Sequence, residues 1–312
     1  MNFVHETMNV KTGAEEMQVL LNSLHELESA SLDSILHKYP VVPWILFLLN
    51  NRWAALKLMV SKGPNFQLTP YKLKQIYEKR WSGYYDSSIH ETARTQSLKP
   101  YLVNGLIRYI PETVFTMAMT KELMKIFGKY ISNQSTVIEL GMGSGRNLFT
   151  IQTLFPNAFC YGAELSEAGI REATMFANRS GFQNITMRQV DLTDTAQMAN
   201  FSKEIQGNRR IVMTIGVLEG IREQTQQAID NIRALQPSLV IHWEPLFELF
   251  RGGFLTQDYF NRKRLIDYGY LDSLYTKIKK LENQQKAKII ECRRLGLGKA
   301  FYEQSLLVWS PI

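Results

Sequence analysis

The sequence predicts an α/β protein: a doubly wound, mainly parallel seven-stranded sheet with an antiparallel C-terminal hairpin at its edge, preceded by an all-helical N-terminal segment. Three observations predict it. The β-branched and apolar run from Thr136 to Leu140 stops at alternating glycines, Gly141, Gly143 and Gly145, and a helical stretch opens at Arg146. Beyond that turn, strand-like and helix-like stretches alternate as far as His242, the pattern of parallel strands joined by helices. Ahead of it, apolar residues recur at three- and four-residue intervals without a strand signal.

Glu15 to His37 reads as the first helix, carried by Met17, Leu20, Leu21, Leu24, Leu27, Leu32, Ile35 and Leu36, and Pro40 and Pro43 interrupt it. Trp44 to Val60 reads as a second, largely buried helix or helical hairpin, ended at Ser61 to Pro64. Its apolar part, Val41 to Leu49, is about half the length of a membrane span and runs into Asn50, Asn51 and Arg52, so no span is expected. Thr69 as a cap and Pro70 as the first helical residue open a third helix, running to about Trp81. Tyr101 to Ile110 and Glu112 to Lys129 resume helical spacing. Residues 1–130 therefore read as a helical lid or partner domain, offering its helices for homodimer contact, and residues 131–312 as the sheet domain.

In the sheet domain the expected strands are Val137 to Leu140, Ala158 to Ala163, Ile185 to Val190, Arg210 to Ile215 and Leu239 to His242. The helices Arg146 to Leu154, Glu167 to Asn178 and Glu223 to Leu235 connect them. Ala287 to Cys292 and Gln304 to Trp309 are expected to pair as the closing antiparallel hairpin.

Composition narrows the classes. A chain of 312 residues with 45% hydrophobic and 21% charged residues is an ordinary globular protein with a sizeable core. Its net charge of +7 is uneven: Arg251 to Lys299 carries +7 and the first 50 residues −4. Such a run reads first as a solvated face and second as an anion-binding surface. Cys160 and Cys292 lie far apart, with no C-x-x-C or Cys/His cluster, which indicates neither a metal site nor a disulfide. The N-terminus lacks the basic-then-apolar order of a signal peptide, so a reducing cytoplasmic location is expected.

The glycine turn discriminates between ligands. A dinucleotide turn of the form G-x-G-x-x-G requires a third glycine where Arg146 stands. Glu139 places a carboxylate at the strand end, unwelcoming to a diphosphate and suited to a cation. The order Glu139, Gly141, Gly143, Gly145, then Glu164 at the next strand end and Asp191 at the one after, resembles the Rossmann-like S-adenosylmethionine-dependent methyltransferases, small-molecule type. The resemblance implies that Glu139 and the glycines hold the methionine part of S-adenosylmethionine. It implies that Glu164 accepts from the ribose hydroxyls, that Asp191, with Leu192 beside it, meets the adenine, and that Gly216 leaves room for the methionine part. The stretch Ile76 to Asp86, with Tyr85, resembles the aromatic approach that covers the cofactor in many small-molecule members.

Methyl transfer needs few universal side chains, because the donor is already activated; the protein aligns the acceptor and removes a proton where one must leave. Candidate bases or acceptor ligands are Glu219 after the fourth strand and His242 and Glu244 at the fifth, His242 having the ordinary pKa for a base near neutrality. The aromatic residues Trp243, Phe247, Phe250, Phe254, Tyr259 and Phe260 read either as packing or as an acceptor pocket, and Arg262 to Arg264 beside them favours an anionic acceptor. No N/D-P-P-Y/F/W tetrapeptide follows the fourth strand, which reads I-G-V-L-E-G; this form is similar to small-molecule O- or N-methylating members. The basic C-terminal third keeps an RNA acceptor as the alternative, and a non-catalytic module that retains the fold is a further one.

Overall fold

The computed structural model describes residues 32–61, 63, 70–83, 97–221, 224–269 and 273–312. Four helices come first: α1 (Leu32–Leu36), α2 (Trp44–Asn50), α3 (Arg52–Val60) and α4 (Pro70–Trp81). The rest of the predicted first helix lies outside the described residues. The predicted helix Trp44 to Val60 forms as two pieces broken at Asn51, and much of its apolar surface faces outward instead of being buried.

A hairpin of β1 (Lys99–Val103) and β2 (Leu106–Ile110) follows, where the sequence reading expected helix. The N-terminal segment is therefore not all-helical. Asn104 and Gly105 supply the reason, since both take positive φ, 53° and 74°, in the two-residue turn that an Asn-Gly pair favours between strands. Helix α5 (Glu112–Tyr130) then leads to the central strand.

From there the chain builds β3 (Thr136–Leu140), α6 (Arg146–Leu154), β4 (Phe159–Glu164), α7 (Glu167–Ser180), β5 (Ile185–Gln189), α8 (Thr195–Glu204), β6 (Arg210–Ile215), α9 (Thr225–Ala234) and β7 (Leu239–Glu244). It closes with α10 (Gln257–Tyr268), α11 (Leu274–Asn283), β8 (Ala287–Lys299) and β9 (Tyr302–Pro311). The sheet has nine strands in the order β2-β1-β8-β9-β7-β6-β3-β4-β5. All seven expected strands form and occupy consecutive places from β8 to β5, and β1 and β2 extend the β8 edge. Strands β3 to β7 pair in parallel, while β9 joins β7, and β8 joins β9, antiparallel.

Alternation along each strand divides the core between the two sheet faces. Val137, Ile241 and Trp243 pack with Phe115, Phe127, Phe149 and Ala173 of α5, α6 and α7. Ile138, Leu140 and Val240 pack on the opposite face with Phe201, Ile229 and Ile278 of α8, α9 and α11. Local signals set the helix ends. Ser166 Oγ accepts from the Gly169 backbone nitrogen at 3.1 Å to start α7, and Gly181, at φ 73°, ends it in the left-handed conformation.

Candidate functional site

The chain runs outward from β3 through β4 to β5, then returns to β6 on the other side of β3. Connections leaving β3 and β6 thus diverge, which opens a crevice at the carboxyl ends of the strands. A cavity of about 400 Å³ occupies it. Glu139, Gly141, Gly143, Glu164, Asp191, Leu192, Gly216 and Glu219 all line this cavity, so the strand-end carboxylates expected from the sequence are brought together. Gly145 does not line it; at φ 79° it caps α6 instead. Tyr85 lies outside the described residues.

The glycine turn holds its shape through backbone and carboxylate. At Gly141, φ 72°, an added Cβ would stand 2.4 Å from Val217 Cγ2, so the turn there admits no side chain. At Gly143, φ 57°, it would meet the Trp81 ring at 2.5 Å. Glu164 Oε2 accepts from the Gly143 nitrogen at 2.9 Å and Oε1 from the Ser166 nitrogen at 3.0 Å, which ties the turn to the end of β4. Burial raises the Glu164 carboxyl above its ordinary value, and these backbone donors oppose the rise.

Glu139 is the polar centre of the cavity floor. Asn147 Nδ2 donates to its Oε1 at 2.6 Å, while Oε2 is buried and has no hydrogen-bond partner among the described residues. Burial pushes its carboxyl up to about 8, opposed by the Asn147 bond and assisted by the nearby Glu164 charge. An unpaired buried carboxylate oxygen of this kind calls for a donor, best a cationic one. Asp191 stands at the end of β5, its Oδ1 accepting from the Thr193 nitrogen at 2.8 Å and the Thr193 hydroxyl at 2.7 Å.

The roof comes from α4, through Tyr77, Arg80 and Trp81. Tyr77 and Trp81 belong to the aromatic stretch noted in the sequence; Arg80 was not singled out there. Glu78 fixes the helix in place, its Oε1 accepting from the Glu167 nitrogen at 2.7 Å and its Oε2 from the Ala168 nitrogen at 2.9 Å. A carboxylate from one helix thus caps the positive N-terminus of another, α7.

The three candidate bases have different fates. Glu219, in the short turn Leu218–Gly220, lines the cavity and accepts from the Tyr302 hydroxyl. Burial, and then repulsion from Glu244, raises its carboxyl well above the ordinary range. Glu244 does not line the cavity: its Oε1 accepts from the Val217 and Leu218 nitrogens at 2.9 and 3.1 Å, bracing the turn that presents Glu219. Its own carboxyl is likewise raised by burial. His242 corrects the sequence expectation of a base. It is fully buried within β7, outside the cavity wall, with Nδ1 2.8 Å from Thr214 Oγ1. Burial lowers its pKa to about 3, so the ring stays neutral.

The expected acceptor-pocket aromatics are mostly structural. Of the aromatic run, only Trp243 lines the cavity, and Phe250 and Phe260 are buried in the core. The basic cluster is bound up internally as well: Arg262 Nη2 donates to the Gly252 carbonyl at 2.7 Å, Lys263 Nζ to the Ser61 carbonyl at 2.6 Å, and Arg264 pairs with Asp267 at 3.6 Å. None of the three faces the cavity. Two groups do, of which the sequence singles out Trp243 and not Gln304. Trp243 Nε1 and Gln304 Oε1 are buried on the wall and have no hydrogen-bond partner among the described residues. Gln304 carried one weak signal, a polar side chain opening the apolar run to Trp309. No group of three His, Cys, Asp or Glu side chains able to hold a metal occurs among the described residues.

Residues 131–244, covering β3 to β7, match a family described as a methyltransferase domain. No curated protein matches the chain by sequence. Among solved structures, a methyltransferase from Anabaena variabilis is similar over 81% of this chain and 99% of its own, at 13% identity and TM-score 0.49. Magnesium protoporphyrin IX methyltransferase from Synechocystis, solved with S-adenosylmethionine bound, is similar over 79% of this chain and 99% of its own, at 14% identity and TM-score 0.48. An O-methyltransferase of neocarzinostatin biosynthesis, in complex with S-adenosylmethionine and a naphthoic acid, is similar over 64% of this chain and 57% of its own, at 14% identity and TM-score 0.43. The five parallel strands β3 to β7 and the glycine turn thus fall within the stretch 131–244 that matches the methyltransferase-domain family.

Proposed function

We propose that the protein transfers a methyl group from S-adenosylmethionine to an oxygen or nitrogen of a small organic molecule. The observation that carries the reading is Glu139, a buried carboxylate on the cavity floor with Oε1 held by Asn147 and Oε2 lacking a partner among the described residues. That oxygen suits the cationic amino-acid end of the cofactor. Glu164 keeps lone pairs for a ribose diol after its two backbone bonds, and Asp191 stands one strand farther along for an adenine amine. At Gly141 and Gly143 the backbone approaches the cavity without a Cβ in the way.

Bound there, S-adenosylmethionine supplies a methyl group already activated by its sulfonium. The chain itself excludes water beneath the α4 roof, orients the acceptor, and receives a proton where one must leave. Glu219 in its ionised form is the group placed to receive it, since it lies on the cavity wall; burial raises its carboxyl and so makes that form scarcer near neutrality. Trp243 and Gln304 line the same cavity. The cavity volume of about 400 Å³ is of small-ligand size.

Calorimetry with S-adenosylhomocysteine tests the cofactor half of the reading: absence of binding to the wild-type chain overturns it. The acceptor half is tested by incubating cell extract with the protein and methyl-deuterated cofactor, then following the label by mass spectrometry. Label in small molecules supports the reading, and label confined to RNA replaces it.

A further inference from the structure

Helices α2 and α3 bury one side and leave the other strongly apolar. Phe47 on α2 and Ala55 and Leu58 on α3 enter one cluster with Leu102, Ile107, Phe260 and Phe301. Away from that cluster, Ile45, Leu46 and Leu49 of α2 and Trp53, Leu56 and Val60 of α3 are exposed, Trp53 and Val60 to 76% and 74%. Positions 45 and 49, and 53, 56 and 60, fall one helical turn apart, so each helix carries a stripe. Both stripes lie opposite the same cluster and therefore on one outward face. Single exposed apolar side chains are ordinary in proteins; six large ones on two consecutive helices are not.

Charge decides what covers this face. From residue 34 to residue 61 the sequence holds Lys38, Arg52 and Lys57 and not one Asp or Glu. Arg52 and Lys57 are exposed on α3 itself, beside the stripe, and no acidic side chain pairs with either among the described residues. A second copy of the chain on this face would set like charges against each other. An anionic lipid surface instead meets apolar side chains with its acyl boundary and the cations with its phosphates, and an exposed indole such as Trp53 is at home at that depth. No helix among the described residues is long and apolar enough to cross a membrane, so the contact is with the surface.

We propose that the α2–α3 face docks the protein onto the surface of an anionic phospholipid bilayer, with Trp53 and Leu56 entering the headgroup boundary and Arg52 and Lys57 engaging lipid phosphates.

Flotation of the full chain with vesicles tests this. With equal parts phosphatidylglycerol and phosphatidylcholine the protein is expected to float, with pure phosphatidylcholine far less, and added salt should weaken the association. Trp53→Glu and Leu56→Glu should each lower the bound fraction by about tenfold. Ile290→Glu, at an apolar position on β8 as exposed as Leu56, should leave it unchanged. Each variant is checked by thermal melting; should an apolar variant misfold, Arg52→Glu combined with Lys57→Glu replaces it and is expected to cut binding to the same extent. Failure of the wild type to float overturns the proposal, as does flotation indifferent to anionic lipid and to Trp53. A dimer in light scattering that Trp53→Glu dissociates, without vesicle binding, assigns the face to a second copy instead.

Discussion

Asn147 donates to Glu139 Oε1 at 2.6 Å from the first turn of the helix that the glycines open, and this bond leaves Oε2 as the carboxylate oxygen without a partner among the described residues. Glu139→Gln should therefore weaken S-adenosylhomocysteine binding by about 10–100-fold, the range for losing a charge-assisted hydrogen bond. Because burial raises this carboxyl to about 8, it is mainly protonated at neutral pH in the free protein. A cationic group arriving at Oε2 lowers that value, so binding near neutrality should release protons. Calorimetry in buffers of different ionisation enthalpy measures the release, and Glu139→Gln should abolish it.

The roof helix hangs on Glu78, whose carboxylate meets two backbone nitrogens of α7. Glu78→Ala removes an N-terminal cap made across two elements, a loss of about 1 kcal/mol. We expect a lower melting temperature and S-adenosylhomocysteine affinity reduced about threefold to tenfold. Unchanged affinity in this variant would show that α4 does not contribute to the site.

Stability should fall on both sides of an interval between about pH 4.5 and 6.5, Glu139 acting above it and His242 below it. Glu139 titrates at about 8 in the fold against 4.5 ordinarily, so between those values the unfolded chain has given up a proton that the folded chain keeps. Its contribution is full below about 4.5 and is lost as pH rises toward 8. His242 is lowered from 6.5 to about 3, so the unfolded chain binds a proton in that interval and the folded chain does not. Its contribution is full above 6.5 and is lost as pH falls toward 3. In melting scans against pH, Glu139→Gln should lessen the decline between about 6.5 and 8, which the raised carboxyls of Glu219 and Glu244 share, and His242→Asn should flatten the one between about 4.5 and 3.

Glu219 and His242 should also separate in function. In the deuterium-labelling assay Glu219→Gln is expected to lower labelled product at least tenfold, the usual scale of a lost proton acceptor. His242→Asn should keep most of it, because the ring does not reach the cavity.

What was legible in the sequence was whatever depended on local chemistry. Thr136 to Gly145 declared a buried strand and a glycine turn, and the alternation after it declared the seven strands that form. Glu164 and Asp191 were visible because a strand end is a predictable place. Partnerships across sequence were not. Glu78 meets Ala168 across 90 positions, and nothing in either neighbourhood names the other. The hairpin at Asn104 and Gly105 had a local signal, but apolar spacing that also fits a helix masked it. His242 was misread for a different reason: strand ends suggest function, yet alternation in β7 turns this side chain into the core beside Trp309, their rings 6.3 Å apart.

The pairing of β1 with β8 gives the N-terminal segment a second duty as a guard against self-association. Without β1 the outer edge of β8 at Gly298 and Lys299 would present unpaired backbone donors and acceptors, a template for another chain. The hairpin moves the edge to β2, where Val41 forms a bridge to Arg108 and the Arg108 guanidinium turns inward to the carbonyls of Leu36 and Tyr39. A protein begun at residue 131 would keep every cavity residue of the sheet and still lose this shield. Its shortcoming would show as aggregation in the test tube, alongside the loss of the α4 roof over the cavity.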